Sequence, residues 1–398
     1  MLRPDTFALT ALLSLLTALG PLAVDMYLPS FPDIGRLLAA SPATVQLTLS
    51  LYLISYAIGQ AIYGPLSDRY GRLPVMRAAL LIYCLASLAC ALAPSIETLL
   101  AARVLHALGS SGAIVLARAI VRDLYSGARA GRELSLMGAI MALAPVFAPM
   151  IGGVLQSAFG WRSHFVLQIA FGLIAAYFVW RRLPETLKVP TSSLSPRAIL
   201  AGYAEIARNR AVLAYVAMLA VSFAGVFAWI SGSSFVLQEI YGLSAMSFGL
   251  AFAAASGGYL AGTAVATRIV LRLGLDRTIG IGTFALAAGG LGAVAAIPLG
   301  GASPIPLIAA MALYAVGMGL VQPQTMAGAM MPFPQRAGTA SSLLGVSQMV
   351  CASASGVIVG YFIGATAWPV AIPLALTGCG TLLLWFISRG VRAQEAQH

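Results

Sequence analysis

The sequence predicts an all-α polytopic membrane protein: twelve transmembrane helices arranged as two six-helix bundles. Composition, the run pattern and the placement of basic residues carry this reading. Of 398 residues, 60% are hydrophobic and 9% charged, against roughly 25% charged in a soluble domain. At roughly 20 apolar residues per crossing, twelve crossings take about 240 residues and leave no room for a large soluble domain. Apolar runs fall at 7–28, 44–65, 74–93, 98–117, 134–158, 162–180, 211–236, 245–267, 278–298, 305–330, 337–362 and 367–388. The connections are short except LPETLKVPTSSLSPRAILAGYAEIARNR, polar and proline-bearing, near mid-chain. This gives an N-terminal bundle over 1–183, a cytoplasmic central loop over 184–210 and a C-terminal bundle over 211–398.

Basic residues set the orientation. With both termini inside, Arg3, Arg69, Arg72, Arg77, Arg118, Arg122, Arg129, Arg132, Arg336, Arg389 and Arg392 fall on the inner side. The six from Arg181 to Arg210 and Arg268, Arg272 and Arg277 join them, leaving Arg36 and Arg162 outside and Arg103 within a span. That asymmetry obeys the positive-inside rule and accounts for the net charge of +11 without a nucleic-acid partner. The lipid bilayer is the partner the composition implies.

Taken in order, the first run opens with a charge and an apolar stretch, like a signal peptide, yet eleven further runs make it the first helix. It closes on PLAVDMYLPSFP, placing Asp25 and Met26 near the outer end. In the second, Tyr52, Tyr56, Gln60 and Tyr63 recur at helical spacing. The fourth carries Arg103 about 8 Å from its outer end, with His106 on the same face. Asp25 and Arg103 are the two ionised residues clearly within spans, where a charge costs at least about 2.5 to 3.5 kcal/mol. They occupy the same outer half and could approach each other. Asp25 can exchange a proton; Arg103 stays charged and can only alter that exchange. Asp25 is therefore the group that would serve if a proton is moved, with His106 a candidate relay and Asp33 or Glu239 a candidate second site. A helix-capping Asp25 paired to Arg103 for stability, and a His106 that only packs, are the structural alternatives.

The fifth run holds Pro145 and Pro149, which bend a helix, and Gly152 and Gly153, which let helices approach. The seventh places Phe223, Phe227 and Trp229 before Ser231, Gly232 and Ser233, an expected break in the helix. The tenth adds Gln322 and Gln324 around Pro323, and the eleventh Ser341, Gln348 and Ser355 every seven residues. Met26, Tyr52, Tyr56, Gln60, Phe223, Phe227, Trp229, Gln322 and Gln348 are the expected substrate-binding set, an aromatic and amide-rich lining suited to amphipathic small molecules. Cys84, Cys90, Cys351 and Cys379 sit inside apolar runs as small buried hydrophobes. His106, His164 and His398 are scattered; there is no HExxH and no GxxxxGK[ST]. An enzyme, a metal site, a cofactor and a nucleotide-driven pump are all disfavoured.

The loop GPLSDRYGRLPV after the second span resembles the motif GxLaDrxGrkxxl of the major facilitator superfamily, at Gly64, Leu66, Asp68, Arg69, Gly71 and Arg72, departing at Leu73. The loop after the eighth span, TRIVLRLGLDR, echoes it, as in carriers built from repeated halves. LLAARVLHALGSSGA resembles the family's lxxxRxxqGxgaa, with His106 for glutamine and Ala107 for glycine. GAIMALAPVFAPMIGG resembles the antiporter motif gxxxGPxxGG, with Ala144 and Ala148 for glycines. PLAVDMYLPSFP, ARAIVRDLY, SFAGVFAWISGSSFVLQEIYG and RAGTASSL narrow the resemblance to the Bcr/CflA drug-resistance branch. The resemblance implies the major facilitator fold, a monomer in the bacterial inner membrane, and exchange of protons for phenicol, bicyclomycin or sulphonamide drugs. It implies a gate at Gly64, Asp68, Arg69, Gly71 and Arg72, pairing across the halves, and a seal at Pro145, Pro149, Gly152 and Gly153. A metabolite carrier is the alternative within transport; a passive channel fits repeated halves less well.

Overall fold

A computed structural model describes residues 6–125, 127–187, 206, 208–333 and 337–395. Most of the expected central loop, Arg3, Arg336 and the Ser341 side chain lie outside the described residues. Twelve helices are long and apolar enough to cross a membrane, and the contact pattern divides the chain into two units, residues 1–194 and 195–398.

In the first unit the spans are α1 (Phe7–Asp25) continued by a 3-10 turn (Leu28–Ser30) and α2 (Phe31–Leu37), then α3 (Pro42–Tyr70), α4 (Arg72–Leu92), α5 (Ile96–Leu124), α6 (Gly127–Phe159) and α7 (Ser163–Arg182). In the second they are α8 (Arg210–Phe235) continued by a π turn (Val236–Ile240), α9 (Ala245–Leu273), α10 (Leu275–Leu299), α11 (Ile305–Met330), α12 (Ala337–Phe362) and α13 (Trp368–Ile387), followed by the short α14 (Arg389–Glu395). The same pairings recur in both units. α4 packs on α5 and α7, α3 on α5, and α1 on α5, α6 and α7; α10 packs on α11 and α13, α9 on α11, and α8 on α11, α12 and α13.

Most of the surface of these helices is apolar, as spans require. On α4, Leu81, Leu85, Leu88 and Leu92 form an exposed stripe while Met76, Leu80, Tyr83 and Ser87 are buried on the other side. Leu9, Leu12, Leu13 and Leu16 of α1 meet Met76, Ile120, Met137 and Val179 in the core of the first unit. In the second unit Tyr314 Oη on α11 donates to the Ser222 carbonyl on α8 at 2.9 Å and lies 3.0 Å from Thr377 Oγ1 on α13.

Two expectations are corrected. α8 does not break at Ser231–Ser233: it runs through to Phe235, and the irregularity is the π turn after it. Gly232 is there for packing, because a Cβ would stand 2.2 Å from Val370 Cγ2. Gly64, expected in the loop after the second span, lies inside α3, where a Cβ would meet no atom within 4 Å.

Each unit ties the start of its third span to the segment after its sixth. Gly71, at φ +95°, reverses the chain between α3 and α4, a conformation open to glycine almost alone. The Glu185 carboxylate then caps α4, accepting from Arg72 N and Leu73 N at 3.0 Å each, and from Thr186 N and Leu187 N at 2.9 and 3.0 Å. Burial works against its charge, but the Leu187, Leu73, Arg72 and Thr186 N–H groups outweigh it and hold the carboxyl below the usual glutamate range. In the second unit Gly274, at φ +78°, makes the corresponding turn. Arg392 of α14 grips Asp276 at 2.7 Å and donates to the Trp385 carbonyl at 3.0 Å.

Gly71→Ala is expected to cost about 1 to 3 kcal/mol, the range for a side chain forced into such a conformation, read as a lower melting temperature in detergent. A carboxyl lowered in the folded state stabilises above its unfolded value and stops doing so as pH falls through the folded one. Melting temperature should therefore drop below the ordinary glutamate range in the parent, and Glu185→Gln should flatten that dependence.

Candidate functional site

The first span is broken by sequence. Pro29 lacks an N–H and its ring clashes with the carbonyl four residues back, which belongs to Asp25, the last residue of α1. The chain turns through Met26 and Tyr27 and resumes at α2 with Pro32 in its first turn. Asp25 thus sits at a helix end inside the bundle, 4% exposed.

Arg103 on α5 is 0% exposed. Its Nη1 donates to the Ala23 carbonyl at 3.0 Å, and His106 Nδ1 lies 3.2 Å from the same atom. The guanidinium lies over two rings, Tyr52 at 4.2 Å and Tyr27 at 4.7 Å. Each such contact contributes up to about 2 kcal/mol when desolvated. The rings are fixed in turn: Tyr27 Oη lies 3.1 Å from Thr48 Oγ1, and Tyr52 Oη 2.6 Å from Ser110 Oγ. Asp25 lies two residues past Ala23, and among the described residues no ion pair joins it to Arg103; aromatic faces and a carbonyl hold the arginine.

Of the expected substrate-binding residues in the first unit, Met26, Tyr52 and Tyr56 are buried and Gln60 half-buried. Tyr52 and Tyr56 stack at 5.9 Å, and Gln60 hydrogen-bonds Tyr56. In the second, Phe223 and Phe227 lie 5.1 Å apart on α8, and Trp229 packs on Phe252 of α9 at 6.5 Å. Gln322 is half-buried on α11; Gln348 is buried on α12, its Nε2 without a partner among the described residues.

The charged segment expected as a loop is helical except at Gly71, with Asp68 and Arg69 ending α3 and Arg72 opening α4, and its described bonds lie within the first unit. Arg72 donates from Nε to Asp123 at 2.9 Å and from Nη1 to Ser67 Oγ at 2.7 Å, and pairs with Asp68 one turn back. Arg69 is exposed, over the Tyr70 ring at 5.3 Å. Pro145 and Pro149 lie inside an unbroken α6. Gly152 faces the Met26 carbonyl, which a Cβ would approach to 2.2 Å, and Gly153 accepts from Ser157 at 2.8 Å. The antiporter-like segment thus packs against the break in the first span. Farther along this seam, Ser30 donates to Gln156 at 2.5 Å, and Gln156 bonds Asp33, which also pairs with Arg36. Glu239 is exposed in the π turn.

Four residues were given no part in the site by the sequence. Glu133, one position before the expected fifth span, is 4% exposed and accepts from Thr10 Oγ1 at 2.8 Å. Asp123 and Glu185 partner the charged loop from ARAIVRDLY and LPETL, segments whose acids gave no sign of a partner. His164 is buried against Tyr27. No group of three or more metal-ligating residues occurs among the described residues.

The model of the Major Facilitator Superfamily matches residues 13–356. The MFS-type transporter YdgK of Bacillus subtilis is 36% identical over 366 residues, 89% of each chain. A bicyclomycin resistance protein homolog of Haemophilus influenzae is 30% identical, over 94% of this chain and 93% of its own. The solved structure of a D-xylose-proton symporter shares the fold at a TM-score of 0.74 and 16% identity, covering 96% of each chain. Twelve spans in two units with the same pairings, a charged loop after the second span, and a family match over most of its length make this chain a membrane transporter rather than an enzyme: it belongs to the major facilitator superfamily.

Proposed function

We propose that the protein is a proton-coupled antiporter that exports small amphipathic or hydrophobic drugs of the phenicol, bicyclomycin or sulphonamide type by alternating access. It works as a monomer in the bacterial inner membrane, both termini cytoplasmic. The observation that carries this is Asp25, a carboxyl buried at a helix break in the unit whose buried arginine, Arg103, is already held by other groups. Its charge is free to change with a proton, whereas the Arg103 charge is not. Protonation from outside removes a buried negative charge and favours the state that turns inward; proton release there accompanies drug capture. Drug and proton favour opposite states, so each drives the other.

The drug-binding residues are Met26, Tyr52, Tyr56 and Gln60 from the first unit and Phe223, Phe227, Trp229, Gln322 and Gln348 from the second. Aromatic faces and amides bind flat, weakly polar molecules and offer nothing to a phosphate. The bicyclomycin resistance named for the Haemophilus relative supports that class. Gly71, Asp68, Arg69 and Arg72 serve the inner gate; Pro145, Pro149, Gly152 and Gly153 keep the first and fifth spans closed against leak.

In proteoliposomes carrying a pH-sensitive dye, adding a phenicol should move protons with the parent protein and fail to do so with Asp25→Asn. Survival of coupled flux in that variant would move the proton site elsewhere, and a parent that moves no protons with any drug would favour a metabolite carrier. Orientation is checked with a membrane-impermeant maleimide on intact cells: Ser303→Cys should label at once, Leu273→Cys only after lysis.

A further inference from the structure

Two of the three histidines in the chain, on different helices, meet at one ring. Phe165 lies 6.1 Å from the His106 imidazole and 5.0 Å from that of His164. Tyr27 touches both the Arg103 guanidinium at 4.7 Å and the His164 ring at 5.7 Å. His164 is therefore part of the layer around Arg103, although it opens α7, directly after the turn at residues 160–162.

The two imidazoles are not equivalent. A guanidinium only donates, so His106 Nδ1, facing Arg103 Nη1 at 3.2 Å, is an acceptor and is occupied. His164 is free at both ends: Nδ1 and Nε2 are buried without a hydrogen-bond partner among the described residues. Gln168, one turn further along α7, is in the same condition at both side-chain atoms, as are Nε and Nη2 of Arg103. Buried polar atoms that the protein does not satisfy are the sites that internal water occupies. The titratable and charged groups facing this layer are Asp25 at the end of α1, Tyr27 in the break after it, Tyr52 from α3, Tyr83 and Cys90 from α4, and Arg103 and His106 from α5; Arg162, just before α7, is held on the Ala93 carbonyl and over the Trp161 ring. The charged residues of α6, Arg129, Arg132 and Glu133, stand in its first turns, at the end away from α7's start.

We propose that His164 is the proton-transfer residue through which the 160–162 end of the first unit communicates with Asp25, along a route inside that unit. The inference rests on the proton-antiport reading. A proton arriving at one imidazole nitrogen forms an N–H bond there as the N–H bond at the other nitrogen breaks. The released proton passes through water to the Asp25 carboxylate and forms its O–H bond. The ring finishes as its other tautomer with its charge unchanged, so the fixed guanidinium alongside is no obstacle, and ring rotation resets it. His106 instead holds Arg103 in place.

The test uses the full chain in proteoliposomes, with chloramphenicol as the drug and two readouts: drug-triggered proton flux, and exchange of labelled for unlabelled drug at equal pH on both sides. His164→Ala and His164→Gln should lower the flux about 100-fold, the low end of what a positioned proton-transfer group contributes, and leave exchange intact. Added imidazole should restore flux to the alanine variant, whose cavity admits it. Unchanged flux in both variants overturns the proposal, and so does a parallel loss of flux and exchange that imidazole does not repair, which marks a packing residue. A parent that exchanges drug but moves no proton fails the antiport reading itself, and the relay falls with it before any variant is made.

Discussion

A guanidinium keeps its charge whatever surrounds it, and Arg103 is enclosed on every side. The cost of removing such an ion from water is several kcal/mol even after relaxation, and the first unit is arranged to meet it. α1 supplies the Ala23 carbonyl; the break after α1 and α3 supply the two tyrosine faces; Thr48 and Ser110 hold those rings in position. The break that Pro29 imposes turns Tyr27 inward beneath the guanidinium and leaves Asp25 at a helix end. Because aromatic and carbonyl groups hold the arginine, the Asp25 carboxyl is not committed to neutralising it, and a group with an uncommitted charge can carry a proton.

The two units solve one mechanical problem with opposite signs. In each, a left-handed glycine turns the chain into the third span, and the segment after the sixth span returns to hold that turn. The first unit uses an acid on backbone N–H groups, Glu185 at the start of α4; the second uses a base on an acid, Arg392 on Asp276. Repetition preserved the place of the contact and not its chemistry.

The spans were legible because each is a run of one character longer than any soluble core helix needs. The charged loop was legible because its residues are close in sequence. Partners brought in from elsewhere were not: Asp123 and Glu185 reach Arg72 and its neighbours from the ends of other helices, and nothing in a linear pattern gives that phase. Glu133 was read as a loop residue because its charge closed the apolar run, whereas the helix continues past it and turns it toward Thr10. The opposite error was made at Gly232, taken as a breaker when tight packing against Val370 is what excludes a larger residue. His164 resembled an isolated histidine because its neighbours come from α1 and α5.

The charges of this protein live in two media. The Asp68 side chain is 45% exposed, so the end of α3 that carries it sits in electrolyte, where fields fade over about 8 Å at physiological ionic strength. Arg103 and Asp25 are shielded from counterions and lie within the voltage drop across the bilayer, worth about 2.3 kcal/mol per elementary charge for a full crossing at 100 mV. Salt therefore acts on one end of the molecule and membrane voltage on its interior, two external variables with separate points of attack.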